Sequence, residues 1–187
     1  MGRRCPTCII FLLFIVLLCA KAPAQHTAYT AVRQGDLQLG GGFSYALTAD
    51  SGDSYGIQTG YSNEHITGFK LYGNYDFKTH FGIEADFNQL NGKNSVYERT
   101  YEIGPRYVLR YGRWDPYVRV MYGRGVFNFP QNIANLAYNV GVVGGGIDYH
   151  LSTHINLRAD YEYQKWFGFP PHDLKPSILS IGAAYHF

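Results

Sequence analysis

The chain is short of charge: only 16% of its 187 residues are Asp, Glu, Lys or Arg, with sixteen basic residues against fourteen acidic. A nucleic-acid binder needs a basic excess to release counterions from phosphates, so no nucleic-acid partner is expected. Cysteine is scarce and confined, since Cys5, Cys8 and Cys19 all precede residue 20. Beyond them no disulfide and no thiolate metal site can form. After Gln25 no apolar run approaches the roughly 18 residues of a transmembrane helix. What the chain has in quantity is 17 Tyr, 12 Phe and 22 Gly, with aromatics at 17%. That content argues against disorder, and the length suits one domain or one small barrel.

Arg3 and Arg4 precede an apolar run from Ile9 to Ala20, and Ala22-Pro23-Ala24 follows. A charged start, about a dozen apolar residues and an Ala-x-Ala step have the form of a secretory signal peptide, too short to span a bilayer. The expected organisation is a cleaved signal peptide over 1–24 and a single domain over 25–187. Lipidation at Cys19 is set aside because bulky Leu18 stands where a small residue should precede. All three cysteines leave with the signal, and thirteen basic residues then face fourteen acidic ones.

Period-2 alternation fills the rest. In Ile155-Asn156-Leu157-Arg158-Ala159-Asp160-Tyr161-Glu162-Tyr163-Gln164 the odd positions are apolar or aromatic and the even ones polar. The same pattern runs through Phe81 to Asn88 and Phe69 to Phe77. Eight antiparallel strands are expected near 36–47, 67–77, 80–90, 97–109, 115–126, 138–149, 154–165 and 177–187. Each is close to the roughly 9 to 11 residues with which a tilted strand crosses a bilayer. The triplets Gly40 to Gly42 and Gly144 to Gly146 blur the alternation, and Val140 and Val142 are out of phase with Ile147 and Tyr149. A bulge or bend is therefore expected in strand six. Connections at Lys78 to His80, Tyr111 to Trp114 and His150 to Thr153 are short, whereas 48–66, 91–96, 127–137 and 166–176 are mostly longer and polar. Short turns at one end and longer loops at the other are the asymmetry of an outer-membrane barrel, with both termini on the periplasmic side.

Two barrels fit the alternation and assign its faces oppositely. A lipocalin-like carrier would turn the apolar set inward, whereas a membrane barrel would turn it to lipid and keep the charges inside. The rings of Phe69, Tyr75, Phe77, Phe81, Phe87, Tyr101, Tyr107, Tyr161, Tyr163, Tyr185 and Phe187 are too bulky for an eight-stranded interior that side chains only just fill. A soluble exterior would also need more Lys and Glu. The expected fold is thus all-β, an eight-stranded antiparallel transmembrane up-and-down β-barrel. Its lumen would receive Lys70, Arg106, Arg119 and Arg158 with Asp76, Glu84, Asp86, Glu102, Asp148, Asp160 and Glu162. Unpaired charges in a narrow interior cost several kcal/mol each, so interlocking ion pairs and a plugged core are expected. Tyr111, Trp114 and Tyr117 at one rim, and Trp166, Phe167 and Phe169 at the other, would form interfacial girdles, ordinary loop packing being the alternative.

The last residues, Leu179-Ser180-Ile181-Gly182-Ala183-Ala184-Tyr185-His186-Phe187, alternate to a terminal Phe with Tyr two before it. They resemble the C-terminal strand signature of bacterial outer-membrane proteins. Over the mature length the chain resembles the small OmpA-like and OmpX-like outer-membrane β-barrel family, and Asp160 to Pro171 looks like the last hairpin of porin-family proteins. The peptidoglycan-binding domain of full-length OmpA-type proteins is not expected here. The resemblance implies the outer membrane of a Gram-negative-type bacterium, outer-membrane lipid and lipopolysaccharide as surroundings, and a monomer. It also implies that the barrel-assembly machinery reads Ile181, Tyr185 and Phe187 during biogenesis.

Other chemistry finds little support. Neither glycine triplet opens a helix or precedes Lys-Ser or Lys-Thr, so neither is a phosphate cradle. The seven histidines have no cysteine partner beyond the signal segment, so no metal and no cofactor are expected. Glu84, Asp86 and Glu102 read as ion-pair members rather than acid and base. His150-Leu151-Ser152 brings to mind the His-x-Ser pair of lipid A deacylases but lies in a short periplasmic turn, not near the outer leaflet. Pro170-Pro171 shapes a loop. The expected function is a non-enzymatic barrel serving envelope integrity or surface interaction through its loops. A narrow channel past Arg106, Arg119 and Arg158 is the alternative, and a lipid A-modifying enzyme or an adhesin using 48–66 and 127–137 comes behind it.

Overall fold

The computed structural model describes residues 35–48, 66–92, 95–129, 132, 134–169 and 173–187. The segment expected as a signal peptide, and most of the loop over 48–66, lie outside the described residues. Eight strands follow one another: β1 Asp36–Thr48, β2 Ile66–Asp76, β3 Phe81–Asn91, β4 Tyr97–Val108, β5 Trp114–Asn128, β6 Asn135–His150, β7 Ile155–Phe167 and β8 Pro176–His186. Each is antiparallel to the next, and β1 pairs with β8 from Gln38↔His186 to Thr48↔Pro176, which closes the sheet into a barrel. Closure pairs the backbone of every strand, the only way a sheet leaves no open edge in hydrocarbon. All eight strands stand where the alternation puts them.

Which face turns outward follows from exposure. Phe81, Ile83, Leu157 and Tyr161 are 42–51% exposed, while Arg158 and Asp160 are 4% and 3% exposed. The rings clothe the outer wall and the charges fill the lumen. A water-soluble carrier would show the reverse.

The bulge expected in strand six is absent. β6 keeps one unbroken register with β5, from Trp114↔Tyr149 to Asn128↔Asn135, and with β7, from Asn139↔Phe167 to His150↔Asn156. Val140 and Val142 face the lumen with Gly144, Gly146 and Asp148 because the interior is apolar at that height. The phase conflict records a change in the filling of the barrel, not a break in the strand.

Phe77 to His80, Leu109 to Arg113 and Leu151 to His154 make the turns at one end. There Trp114 meets Tyr149 at 4.5 Å between ring centroids, Phe81 meets Tyr107 at 5.0 Å and Tyr185 meets Phe187 at 4.9 Å, all on the outer wall. Ile181, Tyr185 and Phe187 are 50–61% exposed on that wall, and the Phe187 backbone N–H donates to Leu37 O at 3.1 Å.

Candidate functional site

The lumen is layered. At the short-turn mouth Arg110 reaches from its turn to Asp76 and Asp115, at 2.5 Å each. Burial opposes the charge on Arg110, but these two carboxylates outweigh it and hold the guanidinium above its ordinary value. His150 Nε2 lies 2.7 Å from Asp115 Oδ2, and its Nδ1 lies 2.8 Å from Asn156 Oδ1. His186 meets Asp36 beside them.

Above lies the ionic layer. Arg106 donates to Glu84 at 2.9 Å and to Asp148 at 2.5 Å. Arg158 grips Asp148 with two bonds of 2.7 and 2.9 Å and reaches Glu84 at 3.1 Å. Its guanidinium lies 4.0 Å from the Tyr72 ring centroid and 4.7 Å from that of Tyr117, while Arg106 lies 4.2 Å from Tyr117. Arg119 joins Glu84, Asp160 and Glu162, the last at 2.6 Å. Lys70 Nζ is shared by Asp86 at 2.8 Å, Asp160 at 3.1 Å and Glu162 at 2.8 Å. Lys70 on β2 thus bonds to β7 across the barrel axis. Asn88 on β3 does the same, donating to Glu162 at 3.1 Å, and Arg158 on β7 donates back to Asn74 on β2 at 3.2 Å. Gln164 donates from β7 to Glu102 on β4 at 2.9 Å.

At the long-loop end the filling turns apolar. Met121, Phe127, Phe129, Val140, Val142, Trp166, Phe169 and Leu174 form one cluster, and Ala46, Ile66, Leu90 and Ile178 form another. Trp166 is fully buried, its Nε1 donates to Gln164 at 2.9 Å, and a Cβ on Gly125 would stand 2.5 Å from its ring. Only glycine lets the indole lie against that wall. Outside, exposed Asp173 accepts from the Gly168 N–H at 3.1 Å and meets Lys165 at 3.2 Å, and these bonds hold its carboxyl below the usual range.

All eleven charged residues assigned to the lumen from the sequence are buried there: Lys70, Asp76, Glu84, Asp86, Glu102, Arg106, Arg119, Asp148, Arg158, Asp160 and Glu162. The girdle assignment needs correction. Tyr111, Trp114 and Phe167 are exposed on the outer wall, but Tyr117, Trp166 and Phe169 are buried, the first among arginines and the others in the apolar cluster. Parity carried that signal, since Tyr117 shares its phase with Arg119, and Trp166 with Arg158 and Glu162. Glu98, in phase with Glu102 and equally buried, was also missed.

Asp86, Glu102 and Glu162 bring carboxylate oxygens within 4.8 Å of one another from three strands. Lys70 stands 2.8 Å from two of them, so a cation of the chain itself already balances part of the cluster. The His150-Leu151-Ser152 pair does not form a nucleophile and base. Both His150 ring nitrogens are engaged, and Ser152 Oγ accepts backbone N–H groups of His154 and Ile155 at 3.4 and 3.2 Å within its turn.

A closed antiparallel barrel with rings outside and ion pairs inside defines a membrane barrel, and the chain belongs to the outer membrane protein beta-barrel domain family, matched over residues 10–187. It is therefore a bacterial outer-membrane protein. Similar solved structures include Ail, the attachment invasion locus protein of Yersinia pestis, at 19% identity over 83% of this chain and 100% of that one, with a TM-score of 0.55. Neisserial surface protein A is similar at 13% identity, covering 83% and 98%, with a TM-score of 0.59. OprG of Pseudomonas aeruginosa is similar at 17% identity, covering 83% and 97%, with a TM-score of 0.55. At such identities the likeness is one of fold. No curated protein matches the chain in sequence.

Proposed function

We propose that the protein is a monomeric, non-enzymatic surface barrel, its short turns in the periplasm and its longer loops outside, serving envelope integrity or surface contact through those loops. The observation that carries this reading is the set of bonds across the axis, from Lys70 to Asp160 and Glu162, from Asn88 to Glu162 and from Gln164 to Glu102. A lumen laced in this way and capped by Trp166 is a stiff pillar for displaying loops, and solutes gain no continuous watery path. The names of the attachment invasion locus protein and of Neisserial surface protein A point the same way for those proteins. Planar-bilayer recording of the purified protein is expected to give no discrete conductance, and a deletion strain is expected to gain detergent sensitivity or lose surface binding. Steady single-channel steps would replace this reading with that of a narrow channel.

Assembly is expected to depend on the exposed end of β8. Phe187→Ala removes a wall-facing ring that contacts Tyr185, and should lower the folded, heat-modifiable fraction on a gel. An unchanged fraction would refute the role of the terminal strand as an assembly signal.

A further inference from the structure

The outer wall of β4 and β5 carries two arginines that the lumen does not use. Arg99 and Arg124 share the outward face with Tyr101 and Tyr122, which are 49% and 58% exposed, and stand one outward position nearer the long loops. The register Tyr101↔Arg124 and Arg99↔Val126 makes the two arginines diagonal neighbours on one face. Diagonal cross-strand residues stand about 7–8 Å apart, within reach of long side chains.

Neither has a carboxylate partner among the described residues. Arg99 donates from Nε to Gln89 Oε1 at 2.6 Å and lies 5.3 Å from the Tyr97 ring, which leaves the outer edge of its fork for another acceptor. The flanking connections 92–96 and 129–134 contain no Asp or Glu, and the first adds Lys93. On the other side of β6, by contrast, Lys165 is balanced by Asp173 at 3.2 Å. Two like charges side by side on a sheet face repel unless an anion bridges them. Guanidinium forks suit phosphate oxygens, and a wall position just above lipid-exposed rings is the level of lipid head groups.

We propose that Arg99 and Arg124 form a binding site for the phosphate of a phosphorylated lipid head group in the outer leaflet. The site rests on the reading that the long-loop end lies in that leaflet. Asn139, opposite Arg124 on β6, and the hydroxyls of Tyr97 and Tyr101 offer neutral hydrogen bonds around it.

The test uses the full barrel in phosphatidylcholine nanodiscs doped with lipid A, either phosphorylated or enzymatically dephosphorylated, with retained lipid counted by native mass spectrometry. The wild type should retain the phosphorylated form preferentially. The double variant Arg99→Gln, Arg124→Gln should lose that preference by about tenfold or more, and the double Lys variant should keep part of it. Lys78→Gln, at the opposite rim, should behave as wild type. Heat-modifiability on a gel checks that every variant is folded. Equal retention in the folded double Gln variant would overturn the site. Displacement of the lipid by inorganic phosphate alone at matched concentration would overturn the lipid as its ligand. Neither result depends on whether the barrel conducts, so failure here is distinct from failure of the surface-barrel reading.

Discussion

Arg119→Leu is expected to lower the unfolding temperature of the barrel by roughly 10 °C, from a loss of about 3–5 kcal/mol when one partner of a buried ionic network is removed. Arg119 contacts Glu84, Asp86, Asp160 and Glu162, and leucine would leave these carboxylates with only Lys70 and the other two arginines in a dry interior. The cost lies less in the lost attraction than in the uncompensated buried charge left behind. Arg158→Leu should cost a similar amount, because Asp148 loses both of its bonds from that guanidinium and the Tyr72 ring loses its stacking partner. Arg113→Leu, at the exposed rim, should change stability by less than about 0.5 kcal/mol. Thermal unfolding followed by the gel shift of the folded form reads all three. A barrel with Arg119→Leu as heat-resistant as wild type would remove the ionic layer from the account of stability.

Trp166→Ala should cost about 3–5 kcal/mol by opening a cavity in the apolar cap. The indole packs edge-on to Phe127 and Phe169, with centroids 6.5 and 6.4 Å away, and its Nε1–H bond to Gln164 ties the cap to the polar layer. On the proposed function, the cap and the ionic layer close the lumen independently. Trp166→Ala is therefore expected to weaken the barrel without making it conduct, since Arg106, Arg119 and Arg158 still fill the section below. Urea unfolding in detergent gives the first quantity and planar-bilayer recording the second. Conductance in this variant alone would show that the aromatic cap, not the ion pairs, seals the barrel.

Most of the fold was legible because a strand in a membrane barrel writes its two environments on alternate residues. Ile155 to Gln164 gave both the strand and its facing, and the charges at Arg158, Asp160 and Glu162 marked the lumen. The same rule failed where the lumen is not polar. Val140, Val142, Trp166 and Phe169 are apolar yet inward, so a reading that equates apolar with outward placed the last two in a girdle and invented a bulge for the first two. Parity counted from Asp148 down β6, or from Glu162 up β7, gives the right side for Val140, Val142 and Trp166. Phe169 lies beyond β7, and only the packing of Tyr138 and Leu174 around it places it inside. Partner choice within the lumen was beyond reach. Lys70 meets Glu162 because β2 and β7 lie across a closed cylinder, and that depends on the shear of the whole sheet rather than on any local pattern.

The central claim is that the barrel wall faces lipid with its rings and holds its charges inside. Without its three early cysteines the chain offers a thiol-free background, so single cysteines can be placed at each position from 155 to 164 in turn. Spin labels at these sites, in the barrel reconstituted into bilayers, report collisions with lipid-soluble oxygen. Oxygen accessibility is predicted to alternate along β7, high at positions 155, 157, 159, 161 and 163 and low at 156, 158, 160, 162 and 164. The opposite alternation, or none, would contradict the membrane orientation on which the account rests.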